Sequence, residues 1–308
     1  MQQTIFAIIP LFLLVLLGFI LKKRNIGKTW STVFNEYVVN IAFPFLIFYS
    51  LNKYPFSWNE FLPLITANSA LIVGLFMLTI IINRIFNFDT QKYKTLFICI
   101  AFGNIAFLGM PIVTELYGPQ ITTEASIITA IYLFWIFSIG ILFLEHQQKK
   151  NTASSWKKIF QNLVHNPTLL AIAIGITTST MNLKIPDFIQ NSLSMISASA
   201  TPMILISIGL FIGTSDFKKI SHWKEVILFS IFTTLITPLI LFGILSLIDI
   251  PHMAFNSSVI QAAMPLAITP FALADQYKLD KSFISNSIIL STVLSILTIP
   301  LVAHFLTK

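Results

Sequence analysis

Apolar residues run along this chain in ten long stretches that contain no Asp, Glu, Lys or Arg. A helix needs roughly 20 such residues to cross a bilayer, and most of the stretches approach or exceed that length. They cover residues 5–21, 37–52, 61–82, 95–114, 125–144, 166–183, 188–215, 226–248, 253–274 and 282–307. The pattern predicts an all-α integral membrane protein with ten transmembrane helices, numbered below as predicted spans 1 to 10.

Composition agrees with the pattern and narrows the function. Of the 308 residues, 56% are hydrophobic and only 10% are charged, against about 25% charged in a typical soluble domain. A soluble enzyme, a disordered chain and a nucleic-acid binder are therefore all disfavoured. Cys99 is the single cysteine, and no histidines are paired at metal-ligand spacing. With no nucleotide-binding glycine loop and no catalytic constellation, we expect neither a metal, nor a cofactor, nor enzymatic activity.

The basic residues are distributed unevenly between the connections. If connections 1–2, 3–4, 5–6, 7–8 and 9–10 share one side, that side holds 16 of the 19 Lys and Arg residues. The other side holds Lys53, Lys184 and Lys308. Such a bias marks the cytoplasmic side, so both termini are expected outside. It also explains the net charge of +7 without a nucleic-acid partner.

Residues 22–24 are all basic and follow span 1, which predicts a retained helix rather than a signal peptide.

Prolines suggest that the chain is an internal duplication. The pairs are Pro10 with Pro167, Pro44 with Pro202 and Pro111 with Pro270, at offsets of 157, 158 and 159 positions. This offset covers five spans, and an odd number places the second copy upside down in the membrane, as in many transporters. We therefore divide the chain into a first inverted repeat (residues 1–145, spans 1–5), a cytoplasmic linker (146–165) and a second repeat (166–308, spans 6–10).

Predicted spans 4 and 9 carry helix breakers near their middle. The breakers are Gly103, Gly109 and Pro111 in span 4, and Pro265 and Pro270 in span 9. Proline removes a helix hydrogen bond, and freed backbone groups are tolerated at this depth only where protein or water covers them. Both spans should therefore be interior and should meet at the midplane. The alternative is that these prolines only kink packed helices.

If Pro111 and Pro270 each start a half-helix, residues 111–117 and 270–277 point their N-termini at the midplane. A helix N-terminus carries about half a positive charge and unpaired N–H groups, which favours an anion such as a carboxylate. The side chains of Asn104, Gln261 and Thr269 would add hydrogen bonds. Because no Lys or Arg lies at this depth, a highly charged substrate is not expected.

Four further polar residues have two interpretations each. Asn40 and Ser199 either contact substrate or form hydrogen bonds between packed helices. Glu36 is either a protonatable coupling group or a side chain that extends to the interface. Asp275 either gates or couples transport, or caps the end of span 9.

Five segments resemble the auxin efflux carrier (AEC) family of membrane transport proteins. The pattern Asn-x4-Gly-x-Pro begins at Asn104, and Gln-Ala-Ala-x-Pro-x4-Pro-Phe occupies residues 261–271. Tyr277 falls at the family's position, and residues 208–211 and 291–300 resemble its seventh and tenth spans. The resemblance covers essentially the whole chain and is most specific in span 9.

The resemblance implies ten helices in two inverted five-helix repeats, with helices 4 and 9 broken and crossing at the midplane. It also implies a scaffold of spans 1, 2, 6 and 7, a homodimer through spans 2 and 7, and a transport domain of spans 3–5 and 8–10. Family substrates are organic acids, moved by an elevator-like motion. The connection between spans 5 and 6 is only about 20 residues here, so we expect the short-loop bacterial type and do not expect auxin as the substrate.

These observations predict a secondary transporter or facilitator of a small organic anion, a mono- or dicarboxylate, in a bacterial inner membrane. The expected partners are this anion, the lipid bilayer and a second copy of the chain. One alternative is a sodium-coupled symporter like the bile-acid carriers, with sodium on freed carbonyls near positions 107, 261 and 266. Another is a membrane sensor that binds its ligand without transporting it.

Overall fold

The computed structural model describes residues 2–23, 28–53, 58–148, 156–157, 160–161, 163–183, 185–214 and 223–306. Within these residues the regular structure is helical, and the β-type pairing is limited to one isolated bridge. In lipid, a chain must satisfy its backbone N–H and C=O groups internally, and a helix does so along its length. The all-α prediction is confirmed for this part of the chain.

The α-helices are numbered here in chain order. They are α1 Gln2–Lys23, α2 Lys28–Tyr37, α3 Phe43–Lys53, α4 Trp58–Phe86, α5 Thr90–Ala101, α6 Met110–Tyr117, α7 Thr122–Trp135, α8 Ile141–Gln147, α9 Pro167–Thr180, α10 Asp187–Thr214, α11 Trp223–Ile231, α12 Thr237–Leu245, α13 His252–Ala262, α14 Thr269–Tyr277 and α15 Lys281–Leu306. A 3-10 turn at Pro119–Ile121 precedes α7.

In the described residues, each of the ten apolar stretches is mainly helical, and the fourth and ninth contain non-helical interruptions. In the described residues, six helical segments are long and apolar enough to cross a membrane: Trp30–Lys53, Phe61–Phe86, Pro119–Gln147, Asp187–Gly213, Trp223–Leu245 and Lys281–Leu306. Phe6–Lys22, Ile105–Tyr117 and Pro167–Thr180 are shorter apolar helices. Such helices are those of a multi-pass membrane protein, while ten crossings and an inverted repeat stay predictions.

Several of these segments are continued through π-helical turns. The turns are Val38–Ala42, Ile105–Gly109, Ile136–Gly140 and Phe232–Ile236. A π turn inserts one extra residue into an α-helix and is frequent at functional sites. Two of the four contribute residues to the site described below.

Glycine allows the closest helix pairs to form. Helix α1 packs along α10, and α3 packs along α9. A Cβ added to Gly18 in α1 would lie 2.1 Å from the carbonyl oxygen of Ile206, and one added to Gly175 in α9 would lie 2.9 Å from the Cβ of Leu51. These helices belong to predicted spans 1, 2, 6 and 7. Elsewhere α4 packs on α5 and α7, and α11 packs on α15. The division into scaffold and transport domain stays a prediction.

Connections that were predicted to be cytoplasmic meet at one end of the molecule. The contacts are Lys92 Nζ to Glu225 Oε1 at 2.8 Å, Asp280 N–H to Thr95 Oγ1 at 2.9 Å, and Gln148 Nε2 to the Gln276 carbonyl at 2.8 Å. They join connections 3–4, 5–6, 7–8 and 9–10. If successive spans cross the membrane in alternating directions, these four connections lie on the same side. The side of the membrane on which this end lies stays a prediction.

Candidate functional site

Non-helical backbone interrupts both the fourth and the ninth predicted spans. Residues 102–104 separate α5 from the following π turn, and residues 263–268 separate α13 from α14. Pro265 cannot donate to the helix ladder and disfavours helical backbone at the residue before it. Pro270 lies in the first turn of α14, where a missing N–H removes no intrahelical bond. The sequence therefore ends one helix and starts another within span 9.

The two interruptions pair with each other as a short antiparallel bridge. The N–H of Asn104 donates to the carbonyl of Pro265 at 2.7 Å, and the N–H of Ala267 donates to the carbonyl of Phe102 at 2.9 Å. Because the chains run in opposite directions here, the helical segments that follow them also leave in opposite directions. We call this paired region the crossover.

Two side chains, Ser291 and Gln261, satisfy more of the backbone at and beside the crossover. The Ser291 hydroxyl of α15 accepts the N–H of Leu266 at 3.1 Å. The Gln261 amide of α13 donates to the carbonyl of Ile105 at 3.2 Å and to that of Ala125 in α7 at 3.4 Å. A buried peptide group without a hydrogen-bond partner costs several kcal/mol, so these bonds stabilise the irregular backbone of the crossover.

The first half-helix starts earlier than predicted. Helical backbone resumes at Ile105, in a π turn that runs directly into α6. The α-helix itself begins at Met110, one residue before Pro111, just as α14 begins at Thr269, one residue before Pro270. The π turn extends the first half-helix back beyond this predicted start. Pro111 is tolerated inside Ile105–Tyr117 because it removes a single bond and because the preceding π turn already uses i→i−5 bonding.

Asn104 and Gln261 lie at the centre of the crossover with unused acceptors. Asn104 is 5% exposed and Gln261 is fully buried. Their side-chain oxygens, Oδ1 and Oε1, have no hydrogen-bond partner among the described residues. A buried acceptor without a partner is uncommon, and two at one crossover mark a place that a hydrogen-bond donor or a cation would complete.

The remaining predicted crossover residues are brought together as well. Gly109, Pro111, Pro265 and Pro270 are buried, and Thr269 is half-buried. A Cβ added to Gly109 would lie 3.0 Å from Cγ of Met264, so glycine lets the fourth span approach the ninth closely.

A cavity of about 10 Å³ lies beside the crossover. This is close to the space of one water molecule and too small for an organic acid in the present conformation. Gln261 lines it, together with four residues that the sequence analysis did not select: Cys99, Tyr132, Thr233 and Thr237. The Tyr132 hydroxyl has no partner in the described part of the chain. One signal was available, because the offset of 159 that relates Pro111 to Pro270 also relates Tyr132 to Ser291.

Asn40, Ser199, Glu36 and Asp275 lie elsewhere and do not line this cavity. Asn40 and Glu36 are exposed on one helix face, where the Asn40 amide donates to the Glu36 carbonyl at 2.9 Å. The Ser199 hydroxyl lies 2.9 Å from the Tyr37 hydroxyl, which joins α10 to α2. Asp275 is exposed and pairs with Lys281 at 2.6 Å. These positions fit the helix-packing interpretation of Asn40 and Ser199, the interface interpretation of Glu36 and the helix-end interpretation of Asp275.

A buried polar cluster joins three helices just outside predicted spans 4, 5 and 9. The Lys94 ammonium donates to the Tyr277 carbonyl at 2.7 Å, and the Tyr277 hydroxyl donates to Glu145 Oε1 at 2.8 Å. Burial, and then the hydrogen bond and charge of Glu145, raise the pKa of the Tyr277 hydroxyl, which therefore remains a donor. Burial lowers the pKa of Lys94, and the charge of Lys278 lowers it further. Sequence reasoning missed Lys94 and Glu145, because each directly adjoins an apolar stretch, where a charged side chain usually contacts water.

A larger cavity of about 510 Å³ opens at the same end of the molecule, between α8, the start of α9 and α14. Ile141, His165, Asn166, Leu273 and Tyr277 are among the residues that line it. It therefore borders the half-helix that leads away from the crossover. Within the residues that the structure describes, no three His, Cys, Asp or Glu side chains are grouped in a way that would hold a metal ion.

Comparisons with known proteins identify one family over nearly the whole chain. A family model described as "Membrane transport protein" matches residues 3–303. An uncharacterized transporter of Methanothermobacter thermautotrophicus is 30% identical over 299 residues, which cover 96% of this chain and 95% of the relative. One from Methanocaldococcus jannaschii is 28% identical and covers 96% of each chain. Auxin efflux carrier component 8 of Arabidopsis thaliana is 23% identical over 63% of this chain and 66% of its own length.

Proposed function

The chain belongs to the membrane transport protein family that includes the auxin efflux carriers, and from this premise we propose that it moves a small organic anion through the crossover. The family is one of membrane transporters rather than enzymes. The observation that carries the proposal is the antiparallel pairing of two interrupted helices around the buried amides of Asn104 and Gln261.

Electrostatics favour a singly or doubly charged anion. The helices that begin at Ile105 and Thr269 leave the crossover in opposite directions, so their N-termini, each with about half a positive charge, converge on it. Predicted spans 4 and 9 contain no Lys or Arg, and the Gln261 amide already donates to two backbone carbonyls. The partial charges of the helix ends and the side-chain N–H groups of Asn104 are therefore the attractive terms. That amount of positive charge suits a mono- or dicarboxylate better than a nucleotide.

Transport then requires the crossover to open. The adjoining cavity has room for about one water, so a carboxylate would enter in another arrangement of the helices. We assign this step to elevator-type movement of spans 3–5 and 8–10 against a scaffold of spans 1, 2, 6 and 7. The 510 Å³ cavity beside α14 is the approach from the end where the basic connections meet. The inner-membrane location, the outward termini and a homodimer through spans 2 and 7 belong to the same proposal.

A counterflow screen in proteoliposomes tests this function. Vesicles preloaded with one unlabelled carboxylate are diluted into a trace of the same labelled acid, and a panel of mono- and dicarboxylates is compared. Accumulation of label for at least one acid is expected, and Pro270→Ala should reduce it because a restored N–H favours helix across the interruption. Flux that is equal in empty vesicles and in protein-containing vesicles for every acid would refute the proposal.

A sodium-coupled carrier is the second candidate, and one observation favours it. The unpartnered oxygens of Asn104 and Gln261 are the hard, neutral ligands that an alkali cation accepts. The freed carbonyls near positions 107, 261 and 266 would complete such a site. Replacing external sodium with choline distinguishes the two candidates, because uptake that is unchanged excludes this one.

A membrane sensor would give a different result from either carrier. It would bind a labelled acid with saturation in detergent and yet give no counterflow after reconstitution.

Glu36 and Asp275 remain candidate proton-coupling residues. Since both are exposed here, flux that is independent of a pH gradient is the simpler expectation.

A further inference from the structure

An apolar groove runs along the outer surface between α4, α5 and α11, and it is separate from the crossover. Its volume is about 560 Å³, and its walls include Ile82, Phe86, Leu96, Leu228 and Phe283. Phe86 and Leu228 are 66% and 67% exposed, so the groove opens sideways toward the bilayer. Water gains no hydrogen bonds in an apolar groove, and an empty one loses dispersion contacts. A hydrocarbon chain is therefore its natural occupant.

At one end the apolar groove continues into a polar cleft of about 260 Å³. Both are lined by Lys92 and Glu225, whose ion pair measures 2.8 Å and remains about one-third exposed. The polar cleft also contains Asp89 and Asp280. It lies at the end where the basic connections meet, as a lipid headgroup would. A long apolar part joined to a compact polar part has the shape of a phospholipid.

The charges of the polar cleft select among headgroups. Among the described residues that line the polar cleft, three carboxylates (Asp89, Glu225 and Asp280) accompany one ammonium, that of Lys92. The three carboxylates lie at the starts of α5, α11 and α15. The helix N-termini contribute about half a positive charge each, which offsets part of the formal charge of −2. The three carboxylates would repel a headgroup with a net negative charge. A choline headgroup has no N–H group and could not form hydrogen bonds with them. A primary ammonium beside a phosphate matches both signs.

Two of these carboxylates have acceptor capacity beyond their structural role. Asp89 caps α5 by accepting the N–H of Lys92 at 2.9 Å, and Asp280 caps α15 by accepting the N–H of Phe283 at 3.0 Å. A carboxylate offers about four lone-pair sites, so one cap bond does not exhaust it. Asparagine caps a helix about as well as aspartate, which allows the capping role and the charge to be separated by substitution.

We propose that the apolar groove and the polar cleft together bind one phosphatidylethanolamine molecule. An acyl chain occupies the groove, the ammonium donates to Asp89 and Asp280, and the phosphate contacts Lys92. This site is distinct from the crossover and goes beyond the proposed transport function. Because the Lys92–Glu225 pair joins α5 to α11, a lipid bound at this position would hold those two helices together.

The test measures the thermal unfolding of the purified full chain in detergent, with increasing palmitoyl-oleoyl phosphatidylethanolamine, phosphatidylcholine or phosphatidylglycerol. The ethanolamine lipid is expected to give a saturating rise in Tm, at least about twofold larger than the choline lipid gives, since a ligand that binds the folded state stabilises it. Equal shifts for the three lipids would overturn the proposal. A larger shift with phosphatidylglycerol would overturn the ammonium assignment.

Two sets of variants assign the effect to the two parts of the site. Asp89→Asn combined with Asp280→Asn should keep the lipid-free Tm, because the caps remain, but should lose the preference for ethanolamine over choline. Leu228→Trp should fill the groove and abolish the lipid-dependent rise. Leu239→Trp, on the equally lipid-exposed face of α12 (59% exposed), is its matched control and should retain the rise. If Leu228→Trp and Leu239→Trp respond alike, the groove is not the site.

Discussion

Gly18 of α1 and Gly209 of α10 lie in backbone contact. A Cβ added to Gly209 would lie 1.9 Å from the carbonyl oxygen of Val15 and 2.9 Å from the Cα of Gly18. Both obstacles are main-chain atoms, which cannot rotate away as a side chain can. Packing between helices in lipid depends on such close approach of small residues, so this contact fixes the distance between α1 and α10.

Gly209→Ala should therefore destabilise the protein. The two helices would have to separate, at a cost of about 1–3 kcal/mol for overpacking, seen as a lower Tm in detergent. Gly74→Ala and Gly243→Ala are matched controls, because a Cβ at either position meets nothing within 4 Å. Their Tm should be unchanged or slightly higher, since alanine is the better helix former. Equal losses at the three positions would contradict the contact.

Asn104→Ala should abolish most of the carboxylate flux, whereas Asn40→Ala should not. Asn104 is buried at the crossover, and Asn40 is exposed and bonded to its own helix. An amide hydrogen bond to a charged group is worth about 1.5–3 kcal/mol, which corresponds to roughly 10- to 100-fold in affinity. Initial counterflow rates over a range of substrate concentrations measure the difference. Similar losses in both variants would place the substrate outside the crossover.

Ser291→Ala should impair both stability and transport. Its hydroxyl satisfies the N–H of Leu266, and an orphaned buried donor costs about 1–3 kcal/mol. Ser295, one turn further along α15, is also buried but bonds to the Thr292 carbonyl of its own helix. Ser295→Ala is thus the control, with a small effect on Tm and on flux. The expectation fails if the two alanine variants are indistinguishable.

Tyr277→Phe should lower stability by about 1–3 kcal/mol, because it removes a donor from the buried Glu145 carboxylate. A double-mutant cycle with Glu145→Leu checks the pairing, since the cost of Tyr277→Phe should largely vanish in that background. Thermal unfolding of the four proteins supplies the coupling energy. Additive losses would show that the hydroxyl and the carboxylate act independently.

Lys94 predicts a pH dependence of stability in the alkaline range. Its pKa in the folded protein is lowered, so the unfolded chain holds the proton more tightly. Below the lowered pKa both states are protonated, and the folded state carries the full penalty. As pH rises toward about 10.4, the usual lysine value, that penalty disappears and stability increases. The Tm difference between wild type and Lys94→Gln should therefore grow in favour of wild type, and parallel Tm curves would contradict this.

Hydrophobic patterning predicted the helices well, because burial in lipid imposes one requirement on every residue of a span. It also identified Pro265 and Pro270, whose chemistry breaks a helix wherever they occur. It missed the π turn that extends the first half-helix back to Ile105, because this turn depends on partners from the ninth span. Asn40 was equally plausible by residue type, and only the packing of helices shows that it faces outward while Asn104 faces the crossover.

Polar groups that act across helices were the least predictable. Ser291 bonds to the crossover backbone, and Tyr132 and Thr233 line the cavity beside it. Each of the three is ordinary in its own sequence context. Lys94 and Glu145 directly adjoin predicted spans 4 and 5, and a charge at the edge of an apolar stretch usually contacts water. Their burial arises because α14 ends between them, a contact between residues more than 100 positions apart in the chain.

Cys99, the single thiol in this sequence, borders the crossover cavity and is 1% exposed. It is thus a built-in chemical reporter at the place where opening must occur. A water-soluble maleimide can modify it only while water reaches the crossover, and no second cysteine contributes background. The rate of modification in intact vesicles therefore reports how often this site opens, in the wild-type protein.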